Sequence, residues 1–423
     1  MQKANIINSN EVVGERPGYK HTKLGWIPEE WKVISLKELA VIKRGRFSPR
    51  PRNDPKFYGG DYPFVQTGDV SNSSNYVRSH SQTLNEEGLK VSCLFEKGTI
   101  LMTIAANIGH TGILAYDMAC PDSLIGIVCG KSVDNQFLNY QFNYNQKRIE
   151  YLAPAGAQKN INIEFLAPFK IVTPPIEEQK SIAQCLLTWD TAITKLNKLI
   201  KTKQKRKKGL MQQLLTGEKR LPGFNGEWKE VSLSNIAKRV TRKNTELNDN
   251  VVTISAQKGF IKQEDFFNKR VASSTLLNYT LVNRGEYCYN KSYSNGYPMG
   301  AFKRLDDFDK AVVTTLYICF RLKENVYSNF MNQFFEAGRM IQGLMRIAQE
   351  GGRAHGLLNI GLSDFFGLKL QIPSHKEQTA IAQILNAADK EIQLLQEQLK
   401  QLELQKKGMM QQLLTGKRRL INN

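Results

Sequence analysis

Lys207-Lys208-Gly209-Leu210-Met211-Gln212-Gln213-Leu214-Leu215-Thr216-Gly217 returns near the end of the chain as Lys406-Lys407-Gly408-Met409-Met410-Gln411-Gln412-Leu413-Leu414-Thr415-Gly416. The offset of 199 residues holds backwards without a gap: Glu178-Gln179 pairs with Glu377-Gln378, Ile182-Ala183-Gln184 with Ile381-Ala382-Gln383, and Asp190 with Asp389. Roughly half of these paired positions are identical, which points to two similar halves in one chain. A weaker echo opens each half, where Trp31-Lys32-Val33-Ile34-Ser35-Leu36 resembles Trp228-Lys229-Glu230-Val231-Ser232-Leu233. The order is therefore an opening, a body and a long repeat, given twice.

Both long repeats carry a helical seam. In the first, Ile182, Leu186, Trp189, Ile193, Leu196 and Ile200 alternate spacings of four and three; in the second, Ile381, Leu385, Ala388, Ile392, Leu395, Leu399 and Leu402 take the equivalent places. That is a heptad stripe, and a helix of about forty residues is roughly 60 Å long at 1.5 Å per residue. Such stripes need a cover. The simplest is each other, as an antiparallel pair within the chain, with a parallel coiled coil between two chains as the alternative. Both helices are predicted to stop near Gly217 and Gly416, which suit a left-handed cap. Lys203 and Lys207 fall on the seam of the first helix, where long stems can cover apolar surface while the ammonium groups reach a solvated face.

The expected class is α+β: two mixed α/β bodies joined by two long antiparallel coiled-coil helices, with pseudo-twofold internal symmetry. The segments are an arm at 1–23, a body at 24–173, a spacer helix at 174–217, a second body at 218–371, a spacer helix at 372–417 and a tail at 418–423.

The 423 residues carry a formal charge of +20, which favours a polyanionic partner. Basic residues are spread over several segments, with 9 Lys and Arg against 3 Asp and Glu in 174–217 alone. A folded surface that follows a phosphate backbone fits this better than a charged tail. No run of apolar residues is long enough to span a bilayer, and the N-terminus shows no signal peptide. The six cysteines form no C-x-x-C pair and read as free thiols of a reducing compartment, so a cytoplasmic location is expected.

Within the bodies, two pairs of loops occupy matched places. After Lys97-Gly98-Thr99 and Arg284-Gly285-Glu286, a short strand runs into a polar Gly-rich loop carrying Asn107, His110 and Thr111 in the first half and Lys291, Ser292, Tyr293, Asn295 and Tyr297 in the second. Amides, hydroxyls and rings at a turn can read base edges and contact phosphates; a plain hairpin turn is the alternative. Before each helix lie Gly156 to Asn162, with Lys159 and Asn160, and Gly351 to Ile360, with Arg353 and His355. Arg353 is the stronger guanine candidate because its fork matches O6 and N7. Arg44, Arg46, Arg50 and Arg52 early in the first body, and Arg239, Arg242 and Lys243 early in the second, could contact DNA or form an ordinary solvated charged surface.

Chemistry of its own is not legible. Gly126-Ile127-Val128-Cys129-Gly130-Lys131-Ser132 has three residues between its glycines where a P-loop needs four. No G-x-G-x-x-G follows a strand, no G-x-S-x-G is present, and the five histidines lack zinc spacing. No catalytic residue and no metal site are expected.

At this point the pattern resembles the DNA-specificity subunit of type I restriction-modification systems over nearly the whole chain. The carrying phrases are Gly25-Trp26-Ile27-Pro28-Glu29-Glu30-Trp31, Val65-Gln66-Thr67-Gly68-Asp69-Val70, and Asn160-Ile161-Asn162 followed by Pro174-Pro175-Ile176-Glu177-Glu178-Gln179, with Gln212 to Gly217 at the helix end. The second half departs at Pro373-Ser374, which has one proline of the pair, and at Ser255-Ala256-Gln257-Lys258-Gly259 in place of Thr67-Gly68-Asp69. The resemblance implies two target-recognition domains that each read half of a bipartite double-stranded DNA target, helices that fix the gap, and no catalysis on this chain. It further implies modification (methyltransferase) subunits, two of them, docked along the helices, and restriction subunits that translocate and cleave. S-adenosylmethionine, ATP and Mg²⁺ would then bind those partners. A coiled-coil adaptor that binds no DNA, or a stand-alone DNA methyltransferase, are the other readings.

Overall fold

The computed structural model describes residues 16–105, 107–153, 161–268, 276–348 and 356–420. It divides into two compact units, Met1–Asn197 with Gln398–Asn423, and Lys198–Glu397. A central helix, Ile176–Leu214, and a C-terminal helix, His375–Leu414, each contribute one part to each unit.

In the first unit a five-stranded sheet is built from β1 (Ala40–Arg44), β2 (Tyr76–Val77), β3 (Ile100–Thr103), β4 (Thr111–Leu114) and β5 (Leu124–Cys129), in the order β1-β5-β3-β4-β2. Its neighbours are antiparallel except for β4 and β2. Every residue of β3 and β4 is buried, as a strand covered on both faces requires. Helix α1 (Asn135–Leu152) packs on this sheet through Phe137, Leu138, Tyr140, Phe142 and Ile149, and its first turn is capped by Asp134, which accepts from the Phe137 amide at 2.9 Å.

The second unit repeats this order with β6 (Ala237–Arg239), β7 (Tyr287–Asn290), β8 (Ala301–Arg304) and β9 (Ile318–Leu322), arranged β6-β9-β7-β8 and antiparallel throughout. Helix α2 (Ser328–Glu336) stands where α1 stands in the first unit, at half the length of its counterpart, with Phe330, Met331, Phe334 and Phe335 buried. The core here is aromatic: Phe302 stacks on Phe335 at 4.5 Å and on Tyr289 at 4.5 Å.

The weak opening echo has a structural reason. Lys32–Ser35 pairs antiparallel with Lys170–Thr173, and Lys229–Ser232 with Lys369–Ile372, so the first strand of each body is clamped to the last strand before its helix.

The helices pair antiparallel inside each unit. In the first, Asp190 meets Lys406 and Glu178 meets Arg419; in the second, Lys203 meets Glu391, Lys207 meets Asp389 and Arg220 meets Glu377. Position numbers rise on one helix as they fall on the other. Ile182, Leu186, Leu196, Ile200, Ile381, Leu385 and Ile392 are buried, and Trp189, Ile193, Leu395, Leu399 and Leu402 are half-buried. At roughly 1.5–3 kcal/mol for each fully buried aliphatic side chain, this seam outweighs the helices' intrinsic propensities. One expectation is corrected: Lys203 and Lys207 do not form a solvated face. They are 25% and 17% exposed and each ammonium sits 2.5 Å from a carboxylate of the C-terminal helix.

Gly217 and Gly416 take φ of 74° and 72° just past the two helix ends. A Cβ on Gly416 would lie 2.4 Å from Pro28 and 3.2 Å from Trp31, and one on Gly217 would lie 3.2 Å from Trp228. Both glycines thus let a helix end close against the opening tryptophan of a body. No helix among the described residues is long and apolar enough to cross a membrane.

Candidate nucleic-acid interface

In each unit the two loops singled out in the sequence are brought together. The β3–β4 loop of the first unit is bonded to the segment before the central helix, with the Ile161 amide donating to the Ile104 carbonyl at 3.1 Å. The second unit does the same with more contacts: Tyr293 N–H donates to Gly356, Leu358 N–H donates to Lys291, and Ser292 bridges Leu357. Two segments far apart in sequence thus meet at one end of a sheet.

The first basic cluster shares that sheet end. Thr103 pairs with Leu124 and Arg44 with Ile125, so β1 finishes beside the start of the β3–β4 loop. Arg44, Arg46, Arg50 and Arg52 are all exposed, but their guanidinium groups are steadied by neighbours. Arg44 donates to the Asp122 carbonyl at 2.8 Å, Arg46 to the Ser92 carbonyl at 3.0 Å, Arg50 to the Pro49 carbonyl at 2.8 Å, and Arg52 pairs with the Asp122 carboxylate at 2.7 Å. Each retains donors beyond those engaged, since a guanidinium has five. Asn107 and His110 are exposed on the loop, whose turn is held by Thr103: its hydroxyl accepts from the His110 amide at 3.1 Å and donates to the Asn107 carbonyl.

In the second unit Arg239, Tyr293 and Asn295 are exposed, and Lys291 and Ser292 are half-buried. Tyr293 presents 65% of its surface beside the loop junction. The loop is anchored from below, where Tyr289 Oη donates to the Met299 carbonyl at 2.7 Å.

Two candidates, Thr111 and Tyr297, belong to the interior framework. Thr111 is 4% exposed in β4 and bonds to Asn143. Tyr297 donates to Glu336 at 2.8 Å and lies under the Lys303 ammonium; burial, first, and the Glu336 carboxylate raise its phenol above the ordinary tyrosine range. Arg242 is tied to the buried Glu286 carboxylate at 3.1 Å and to the Leu281 carbonyl, and its side chain stays 39% exposed. Lys243 stays exposed, with a long contact to Asn278. Lys159, Asn160, Arg353 and His355 lie outside the described residues. Among the described residues no group of acidic, His and Cys side chains is arranged to hold a metal ion.

A second site at the helix starts was not singled out by the sequence reading. Glu178 and Glu377, matched across the repeat, are buried carboxylates clamped in fork geometry by Arg419 (2.9 and 2.8 Å) and Arg220 (2.7 and 2.7 Å). Their neighbours Gln179 and Gln378 accept from the amides of Asp134 and Tyr327 and donate to the carbonyls of Pro174 and Pro373. Further along, Asp190 takes Tyr140 and Lys406, while Asp389 takes Gln333 and Lys207. The available signal was the identity of these polar residues in both copies of the repeat: a polar residue kept on the inner side of a seam has an inner partner.

The family described as type I restriction modification DNA specificity domain matches residues 28–205. Over 440 residues, 95% of this chain and 97% of its own length, a Methanocaldococcus jannaschii chain assigned as the MjaX type I restriction enzyme specificity subunit is 26% identical. The MjaVIII type I restriction enzyme specificity subunit of the same organism is 23% identical over 94% of this chain and 95% of its own. Along nearly its whole length this chain is similar to type I restriction enzyme specificity subunits, and its residues 28–205 match their DNA specificity domain. A solved specificity subunit from M. genitalium shares its fold, with a TM-score of 0.55 at 16% identity over 90% of this chain and 96% of the other.

Proposed function

We propose that each unit of this chain reads one half of a bipartite double-stranded DNA target, and that the antiparallel helices fix the unspecified gap and dock two modification subunits, with restriction subunits joining the assembly. The observation that carries this reading is the joining of the β3–β4 loop to the pre-helix segment in one unit and of the β7–β8 loop to residues 356–358 in the other. Both make a polar, basic-flanked surface on matched sheets of a chain with charge +20, which suits contacts to phosphates and base edges. Arg44, Asn107 and His110 in the first unit, and Arg239, Lys291, Tyr293 and Asn295 in the second, are the described residues best placed for it. S-adenosylmethionine, ATP and Mg²⁺ belong to the partner subunits, and this chain contributes position alone.

The test is a domain exchange read by mapping methylated sites in cells that carry the whole system. Replacing residues 31–173 with those of another specificity subunit changes one half-site and preserves the other and the gap. Lengthening the central helix by a few residues between Leu196 and Lys203 changes the gap alone. A swap that alters both half-sites, or neither, overturns the modular reading.

A further inference from the structure

The basic run of the central helix is sorted by the heptad into two sets. Lys203 and Lys207 face the C-terminal helix and are paired. At 100° per residue, Lys198, Lys201, Lys205 and Lys208 fall on the opposite face, all four exposed. Among the described residues none of these four ammonium groups forms an ion pair. Residues 198–208 hold seven basic and no acidic side chains, whereas the matched residues 397–407 hold three basic and two acidic, so local charges of +7 and +1 stand on otherwise similar helices. Where the central helix has the four lysines, the C-terminal helix has Glu397, Lys400, Leu404 and Lys407. Duplication alone does not produce that stripe, and the helix does not need it to fold.

The stripe extends about 15 Å, ten residues at 1.5 Å each, which is the axial reach of about four phosphates on one strand at 3.4 Å apiece. It offers point charges on flexible stems, without the fork that reads a base and without the central aromatic or aliphatic anchor of a protein interface. We infer that the outer face of the central helix is a non-specific phosphate track, on which Lys198, Lys201, Lys205 and Lys208 hold the DNA backbone within the unread gap of the target. The inference rests on the reading of this chain as a DNA-binding subunit. The recognition loops specify sequence; the track adds affinity and salt sensitivity, and only on one helix.

The experiment uses the full chain with all four lysines changed to glutamine, which keeps helix propensity and length, and a second variant with Lys400→Gln and Lys407→Gln. Binding to a mixed-sequence duplex is measured from about 50 to 200 mM salt, with helicity checked by circular dichroism. The slope of log affinity against log salt falls by roughly 0.9 per lost contact, about 3 to 4 for the four lysines, and affinity at low salt drops at least tenfold; the C-terminal helix variant stays close to the parent. An unchanged slope in a chain that binds DNA overturns the track and leaves the DNA reading standing. Weakened capture of a modification subunit with an unchanged slope assigns the stripe to an acidic protein surface and likewise overturns it. A parent chain that binds no duplex sinks the DNA reading itself.

Discussion

The central and C-terminal helices agree where they face inward and differ where they face out. Inward, Glu178 and Glu377, Asp190 and Asp389, and Lys207 and Lys406 are identical, and each is ion-paired. Outward, one helix shows lysines, while the other shows Glu397, Leu394 and Leu404, the two leucines more than half exposed. A duplicated helix is held to one pattern by its packing and by its buried charges, each of which needs its partner on the other copy. Its outer face is free of that constraint and records what each half meets.

Truncating the seam is the strongest challenge to the claim of inward equivalence. Leu186 and Leu385 are matched by the offset and both fully buried, so Leu186→Ala and Leu385→Ala each cost about 2–5 kcal/mol. Hydrogen exchange followed separately in the two units is the appropriate measurement, because a two-unit chain need not unfold as one cooperative step. Equal losses, each confined to its own unit, sustain the equivalence; a loss in one unit alone breaks it.

The helix starts sharpen the comparison because they are matched but not identical. Glu178 accepts from Arg419 and also from Trp31 Nε1 at 3.0 Å, whereas Glu377 accepts from Arg220, and Trp228 Nε1 is buried without a hydrogen-bond partner among the described residues. Glu178→Ala therefore leaves two donors unmatched and is expected to cost about 2–4 kcal/mol, less than a wholly buried pair because Arg419 is 21% exposed. Glu377→Ala leaves only the guanidinium behind and costs less. Urea titration with exchange readout in each unit checks the order; a larger loss in the second unit reverses the assignment of the tryptophan contact.

Much of this was legible because it is periodic. The heptad positions, the 199-residue offset and the glycine stops are local patterns, and the seam residues from Ile182 to Leu402 are buried or half-buried. The surface candidates were less legible, since whether Arg46 reaches solvent or folds onto the Ser92 carbonyl depends on strands dozens of residues away. Thr111 and Tyr297 lie in polar loops by sequence, yet one enters a fully buried strand and the other bonds to Glu336 across the core. Spacing fixed which residues are neighbours along a loop, and only the tertiary pairing decided which way each one turned. The joining of the paired loops was equally hidden, because backbone bonds such as Leu358 N–H to Lys291 leave no mark on side-chain identity.

The smallest expected effect isolates a single hydrogen bond. Trp31 and Trp228 open the two bodies, and each sits against the glycine that ends a long helix. Trp31→Phe removes a donor whose acceptor, Glu178, is buried and loses one of three bonds, so it should cost about 1–3 kcal/mol through the unmet carboxylate and the smaller ring. Trp228→Phe removes an N–H that has no acceptor to lose. Deleting an unsatisfied buried donor recovers its desolvation penalty, roughly 1–3 kcal/mol, and this offsets the loss of ring contact with Phe330. The second substitution is therefore near neutral where the first is not, and amide exchange in the two units reads the contrast directly. Equal costs for both would mean that Trp228 Nε1 has an acceptor after all, and that the two helix starts are the same site twice.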